Sequence, residues 1–294
     1  MMYNFEKNMG LVCHDAGAAN VLIAAFMKEG MRPVMALMDG PAKDLWEKAF
    51  PDIPCNYKLK EIVNTVDFMF TGTGWSSSLE FDAIHSCNEK GLFCSALIDH
   101  WVNYEDRFIR KDKKAWPNRF LVTDSEAYKI ACLSFPSKKV FQCKNFYLED
   151  QVNKILSLKK NSNKQLLYIC EPIRSKWGRD KEGEFQALEY FLQMIEKFQI
   201  PKSYKILLRQ HPSEPANKYA SFIPDSEYLI ETSKNHEIAR DIAESTFIFG
   251  CNSYGLVLSL AANKPTYNVI PPWGPVSSLP HIGIKPLIEL INKL

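Results

Sequence analysis

GLVCHDAGAAN, residues 10–20, is the stretch that decides the fold of the first half of this 294-residue chain. An apolar run from Gly10 to Cys13 is followed by a loop of small and polar residues and then by a helical pattern from Val21 to Lys28. A strand that passes through such a loop into a helix is the repeating unit of a parallel α/β sheet. The stretch therefore predicts an α/β fold whose first strand begins near Gly10.

The same alternation continues along both halves of the chain. Further strands are predicted at residues 33–38, 67–70, 92–98, 120–123 and 140–143, and then at 166–170, 204–208, 228–230, 246–249 and 266–270. Residues 145–164 are polar and lysine-rich, and we predict a linker there. The pattern predicts two Rossmann-like parallel-sheet domains, at 1–150 and 165–275, followed by a C-terminal helix at 276–294.

The composition limits the classes of partner. With 46% hydrophobic and 24% charged residues, the chain resembles an ordinary globular protein. Its 36 basic and 34 acidic side chains give a net charge of +2, which supplies no broad positive field. Nucleic acid is therefore not an expected partner, any anion site must be local, and only peripheral contact with a membrane stays open.

The cysteines and the apolar runs indicate a compartment. Eight cysteines are scattered without a C-x-x-C pair or zinc-like spacing, so we expect neither disulfides nor a metal site. No signal-peptide core and no uncharged apolar run of roughly 18 residues is visible, which favours the cytoplasm. No cofactor is implied beyond a bound substrate.

Two clusters in the second half follow predicted strands, where parallel sheets bind ligands. They are RQHPSEP, residues 209–215, and GCNSYG, residues 250–255. The side chains expected to bind phosphate are Arg209, His211, Asn252 and Ser253, which offer charge-assisted bonds and helix-cap donors. The alternative is structural: a helix cap at Asn252 and Ser253, and a turn at His211.

These clusters resemble the C-terminal domain of GT-B glycosyltransferases, especially the bacterial sialyltransferase and polysialyltransferase group. That group carries a His-Pro motif and a later serine motif, matched here by His211-Pro212 and Ser253. The resemblance implies the GT-B fold with two domains facing a central cleft, a nucleotide-sugar donor, a glycan acceptor and a role in bacterial surface polysaccharide synthesis. Because Asn252-Ser253 replaces the usual doubled serine or serine-threonine, both CMP and UDP donors stay open.

Candidate catalytic residues follow the first and fourth strands of the first half. Asp15 is the first choice as general base, with His14 as a competing choice and Asp99 as the second choice. The resembled group uses an acidic residue of an acidic-acidic-glycine motif, of which residues 15–17 match only the aspartate and the glycine. The structural alternatives are a helix cap at Asp15 and an Asp-His hydrogen bond at Asp99.

Two further candidates for binding anionic groups lie in loops. TGTGWS, residues 71–76, contains Gly74 and Ser76 but is neither a Walker A loop nor a dinucleotide fingerprint, and a plain tight turn is the alternative. Arg174, after the first strand of the second half, is expected to clamp a phosphate or else to be solvated at the surface.

Together these features predict a metal-independent glycosyltransferase, and the resemblance implies that it is an inverting one. The rivals are a nucleotide-sugar epimerase or hydrolase of the same fold, and a non-catalytic nucleotide-binding module. Fold alone does not separate these functions.

Overall fold

A computed structural model describes residues 8–74, 77–158, 164–220 and 226–293. The chain divides into two compact units, Met1–Tyr147 and Leu148–Leu294. Each unit is built on a six-stranded sheet whose strand pairs are all parallel. The predicted α/β fold with two Rossmann-like parallel-sheet domains is therefore confirmed.

The first sheet has the strand order β2-β1-β3-β4-β7-β8. Its strands are β1 (Met9–Cys13), β2 (Met35–Met38), β3 (Phe68–Thr71), β4 (Phe93–Leu97), β7 (Arg119–Val122) and β8 (Val140–Gln142), and a separate antiparallel pair consists of β5 (Ile109–Arg110) and β6 (Lys113–Lys114). The helices of this unit are α1 (Ala16–Glu29), α2 (Gly40–Ala49), α3 (Leu59–Thr65), α4 (Leu79–Lys90) and α5 (Ser125–Ser134), and a 3-10 helix spans Asp106–Phe108.

The second sheet has the order β11-β10-β9-β12-β13-β14. Its strands are β9 (Gln165–Ile169), β10 (Lys205–Arg209), β11 (Ile230–Thr232), β12 (Phe247–Gly250), β13 (Thr266–Asn268) and β14 (Lys285–Pro286). The helices are α6 (Phe146–Ser157), which begins at the boundary of the units, α7 (Gly183–Lys197), α8 (Ile238–Glu244) and α9 (Tyr254–Ala261), and a 3-10 helix spans Leu287–Lys293.

The strands and helices of each unit are held together by the packing of their apolar residues. All five residues of β1 and all five of β9 are buried, as expected for central strands covered by helices on both faces. Helix α7 buries Leu188, Phe191 and Ile195 at helical spacing against the second sheet, which is the face predicted from periodicity. Helix α1 ends at Gly30, whose φ of 67° suits a residue without a side chain.

Two predictions about connecting segments are wrong. Much of the predicted linker at 145–164 is helix α6, which carries Lys154 and buries Ile155; residues 159–163, which include Lys159 and Lys160, lie outside the described residues. The prediction of a C-terminal helix over 276–294 is wrong in its extent. Of the described residues 276–293, Leu287–Lys293 form a 3-10 helix that buries Leu287 and Leu290 in the core, and the preceding β14 pairs with β13.

Among the residues that the structure describes, no helix is both long enough and apolar enough to cross a lipid bilayer.

Candidate functional site

In both sheets, the strand order reverses beside the first strand of the unit, so that later strands are added on either side of it. In the first sheet, β1 lies between β2 and β3, and in the second sheet, β9 lies between β10 and β12. At such a switch point the helices following the two neighbouring strands go to opposite faces, which opens a crevice at the carboxyl edge. The predicted site residues of each unit follow these strands.

In the second unit, the tips of β10 and β12 flank the tip of β9. Arg209 of β10 and Gly250 of β12 both pair with Ile169 of β9, in parallel register. Because neighbouring strands lie roughly 4.8 Å apart, the loops that begin at residues 210 and 251 leave the same edge of the sheet about two strand spacings apart. The predicted phosphate-binding loops therefore share one edge.

Ser253 and Asn252 form the start of α9. Ser253 is the N-cap residue, and its Oγ accepts the backbone N–H of Gly255 at 3.1 Å. The side-chain Oδ1 of Asn252 accepts bonds from Oγ of Ser277 and from the N–H of Ser278, at 3.1 and 2.8 Å. The structural alternative, a helix cap, is thus present at Ser253, whose hydroxyl keeps its own hydrogen for donation, whereas the Asn252 side chain bonds another loop.

His211 is exposed on the loop after β10, as is Pro212. The Nδ1 atom of His211 lies 3.2 Å from the backbone N–H of Ser213, which can only donate, and 2.8 Å from the hydroxyl of Ser213. In the neutral ring, Nδ1 must therefore accept and Nε2 carries the hydrogen. The N–H of His211 donates to Oε2 of Glu214 at 3.3 Å, and this bond holds the turn.

Arg209 has other partners than the expected phosphate. Its Nη1 lies 2.6 Å from Oδ2 of the fully buried Asp241, and its Nη1 and Nη2 donate to the carbonyls of Asn235 and His236 at 3.0 Å each. These bonds tie the guanidinium to the loop between β11 and α8. Because the Arg209–Asp241 pair is largely buried and makes several hydrogen bonds, Arg209 has a structural role.

Glu171, directly after β9, is a residue that the sequence reasoning missed. Its Oε2 accepts the backbone N–H of Asn252 at 2.7 Å, so its carboxylate lies where the amides of α9 begin. The pKa of Glu171 is raised to about 7, mainly because the carboxyl group is buried; the amides of Asn252 and Ser253 oppose this shift, and the nearby Glu214 adds to it. The available clue was an acidic residue directly following a central strand.

Arg174 lies in the long loop between β9 and α7 and is exposed. Its exposure is compatible with either expectation, a phosphate clamp or a solvated side chain. In the same unit, Trp273 donates from Nε1 to Oε1 of Gln186 at 2.8 Å, and the guanidinium of Arg179 lies 3.6 Å above its ring.

In the first unit, His14 and Asp15 follow β1 and form a hydrogen-bonded pair. The Nδ1 atom of His14 lies 2.8 Å from Oδ1 of Asp15, and the two side chains are 15% and 29% exposed. Asp15 is the N-cap residue of α1, but its side chain makes no capping hydrogen bond. The alternative that the Asp15 carboxylate serves as a helix cap is therefore wrong.

Glycines leave room for this pair and for Asp99. A methyl group at Gly74 would lie 2.6 Å from a carboxylate oxygen of Asp15, and one at Gly40 would lie 2.5 Å from Nε2 of His14. A methyl group at Gly17 would overlap a carboxylate oxygen of Asp99. Gly74, predicted to help bind an anionic group, leaves room for the Asp15 carboxylate because it has no side chain. Ser76 lies outside the described residues.

Asp99 differs from Asp15 in its partners. Its Oδ1 lies 3.2 Å from Nη1 of the buried Arg107, which also donates to the carbonyl and hydroxyl oxygens of Thr73 at 2.7 and 3.1 Å. Burial raises the pKa of Asp99, the positive charge of Arg107 opposes that shift, and Asp15 adds to it. The neighbouring His100 stays neutral, because burial and Arg107 lower its pKa to about 4.

Glu80, in the first turn of α4, is the second residue that the sequence reasoning missed. It is 2% exposed, and its Oε1 accepts the backbone N–H of His14 at 2.7 Å. Burial raises the pKa of Glu80, while the amide of His14 lowers it. Its Oε2 has no hydrogen-bond partner among the described residues. Glu80 therefore holds the turn that carries His14 and Asp15.

Within the described part of the chain, no three His, Cys, Asp or Glu side chains form a group that could hold a metal ion. The free cysteines, including Cys13, Cys94, Cys170 and Cys251, are mostly buried beside the sheets.

Solved structures match this fold, although no protein-family model and no curated protein matches the sequence. MnaA of S. aureus with UDP matches with a TM-score of 0.60 and 12% identity, over 89% of this chain and 79% of that one. UDP-GlcNAc 2-epimerase of Neisseria meningitidis bound to UDP-GlcNAc matches at 0.58 and 10%, over 85% and 78%. An alpha/beta-galactoside alpha-2,3-sialyltransferase of Photobacterium phosphoreum matches at 0.50 and 10%, over 90% of each chain.

The chain therefore has the GT-B fold, which confirms the fold implied by the His-Pro and serine motifs. Glycosyltransferases and epimerases both occur among the matching structures, and the sialyltransferase-like group is not distinguished from the others.

Proposed function

We propose that this protein is a nucleotide-sugar glycosyltransferase whose second unit binds the donor phosphate. The observation that supports this most is the placement of the His211 loop and the first amides of α9 at the same edge of the sheet, on either side of β9. Amide donors at a helix start favour an anion, and the geometry suits a phosphate leaving group.

The roles within this site follow from the available donors. The Nε2–H of His211, the hydroxyl of Ser253 and the amides at the start of α9 would stabilise the negative charge that grows on the departing phosphate. Arg209 would act indirectly, by fixing the loop between β11 and α8. Arg174 stays a candidate clamp because it is exposed.

On the first unit, Asp15 is the better candidate for the base that takes the proton of an acceptor hydroxyl. Its carboxylate is partly exposed and pairs with the ring of His14, whereas Asp99 is paired with the buried Arg107. A general base needs access to its proton, and Asp15 has more of it. The donor, CMP-linked or UDP-linked, and the setting in surface-glycan synthesis rest on the resemblance alone.

Nucleotide binding tests this proposal directly. Calorimetric titration with CMP, UDP and GDP is expected to give binding for at least one of them, and His211→Ala is expected to weaken it by about 1.5–3 kcal/mol, or roughly 10–100-fold. His236→Ala is the matched control, because that histidine contributes only its backbone carbonyl to Arg209. Binding that survives His211→Ala unchanged would falsify the phosphate site.

An epimerase is the second candidate. In the first unit, Asp15 lies close enough to Asp99 and Glu80 to raise the pKa of both, and its own partly exposed carboxylate could move a proton on a bound sugar. One of the matching structures is a UDP-GlcNAc 2-epimerase bound to UDP-GlcNAc. Incubation with UDP-GlcNAc and no acceptor separates the candidates, since only an epimerase changes the sugar while keeping the nucleotide attached.

A further inference from the structure

We propose that Glu171 makes the phosphate pocket proton-coupled, so that a nucleotide phosphate binds beside the neutral carboxyl and one proton is taken up from solvent. This inference rests on the proposed function, because it concerns the same amides of α9. It names a binding residue that neither the His-Pro nor the serine motif contains.

The position of the carboxyl group is the first step. Glu171 follows the central strand β9, between the loops that carry His211 and Ser253. Its Oε2 accepts the N–H of Asn252 at 2.7 Å, and the N–H of Ser253 also acts on it. An ionised Glu171 therefore places a negative charge against the amides that a phosphate would use.

The charges around Glu171 are the second step. From the loop after β10, Glu214 adds a second acidic group, and its carboxylate contacts Lys218 and lies 3.3 Å from the hydroxyl of Tyr219. Lys218 also contacts the buried Glu184, so one cation serves two carboxylates. Glu171 thus has an acidic neighbour whose counter-charge is already shared.

Three further titratable groups beside Glu171 are neutral near pH 7. Tyr168 lies on β9, Cys170 follows it, and Cys251 follows β12, and burial raises the pKa of all three. They add no charge that could compensate an ionised Glu171 next to a bound phosphate. A phosphate dianion in this place therefore favours the protonated carboxyl.

The sign of the pH dependence follows. Without a ligand, the pKa of Glu171 is raised to about 7, chiefly by burial, and a bound phosphate raises it further. Affinity is then highest below pH 7 and falls by up to about tenfold for each unit above it, because the ionised form must first gain a proton. At pH 8, roughly one proton is taken up for each nucleotide bound.

The test is calorimetric titration of the full chain with CMP, UDP and GDP at pH 6 and pH 8. Each titration is repeated in two buffers of different protonation enthalpy, which gives the number of protons taken up. The wild type is compared with Glu171→Gln, which copies the neutral carboxyl, and with Asp180→Asn, which removes one negative charge from an exposed position of the same loop.

We expect Glu171→Gln to bind about tenfold more tightly than the wild type at pH 8, to match it within about twofold at pH 6, and to take up one proton fewer. The difference between the two proteins removes the titration of the nucleotide's own phosphate. Asp180→Asn is expected to behave like the wild type.

Several results would overturn the proposal. If the wild type binds a nucleotide through His211 but takes up no proton at pH 8, Glu171 is either displaced or uninvolved, and the proposed function stands without it. The proton count needs no variant of Glu171, so it tests the proposal even if Glu171→Gln does not fold. If neither the wild type nor Glu171→Gln binds any of the three nucleotides at either pH, the proposed function and this inference fail together.

Discussion

Both units hold an arginine-aspartate pair near the carboxyl edge of the sheet, but the polar groups around the pairs differ. In the first unit, Arg107 pairs with Asp99 and fixes the loop at Thr73; in the second, Arg209 pairs with Asp241 and fixes the loop at residues 235–236. Each guanidinium donates hydrogen bonds to backbone carbonyls as well as to a carboxylate. In both units, the arginine therefore holds a loop at the carboxyl edge in place.

The polar groups at the carboxyl edges of the two sheets are opposite in character. The first unit presents carboxyl groups, with Asp15 partly exposed and Glu80 buried beneath its turn. The second presents hydrogen-bond donors, namely the exposed His211, the hydroxyl of Ser253 and the amides that Glu171 now occupies. This difference suits proton transfer on one unit and anion binding on the other.

The largest expected effect concerns Asp15. If Asp15 is the general base, Asp15→Asn lowers turnover by about 10²–10⁴-fold while leaving nucleotide affinity unchanged. Release of UDP or CMP from UDP-GlcNAc or CMP-sialic acid, with a glycan acceptor present, measures the rate, and calorimetry measures the affinity.

Asp99→Asn is the matched comparison for that variant. It leaves the buried Arg107 without its charge partner, so we expect it to lower thermal stability, whereas Asp15→Asn does not. Equal loss of activity in both variants with no loss of stability would remove the distinction drawn between the two carboxylates.

The next effect concerns the arginine-aspartate pair of the second unit. Asp241 is fully buried and also bonds Ser233 and Asn235, at 2.7 and 2.6 Å, so Asp241→Ala leaves several buried groups unpaired. We expect a destabilisation of about 3–5 kcal/mol, measured by urea unfolding. Glu231→Ala breaks the more exposed contact with Lys205 and is expected to cost less than about 1 kcal/mol.

The smallest effect concerns the cap of α9. Ser253→Ala removes the bond to the N–H of Gly255 and is expected to cost about 1 kcal/mol of stability. If the hydroxyl also binds phosphate, nucleotide affinity falls by about 0.5–1.5 kcal/mol, or roughly twofold to tenfold. Ser253→Thr, which keeps a hydroxyl and can still cap the helix, is expected to retain both properties. A stability loss with unaltered nucleotide affinity would leave Ser253 as a helix cap only.

Much of this was predictable because local sequence sets local structure. The alternation of apolar runs with helical patterns predicts the two parallel sheets, and residues that follow strands fall at their carboxyl edge. The lysine-rich appearance of residues 145–164 hid helix α6, because one buried residue, Ile155, is a weak pattern among many charges.

The amino-acid sequence by itself determined the two α/β sheets and the loops at their edges that carry His14, Asp15, His211 and Ser253. Only the tertiary structure decided what those side chains contact. In the folded protein Arg209 pairs with Asp241, and the Asp15 side chain makes no capping bond to α1. Glu80 and Glu171 accept the backbone N–H groups of residues 14 and 252. These contacts join residues 32 to 81 positions apart, or depend on close approach at glycines, and local pattern contains no information about either.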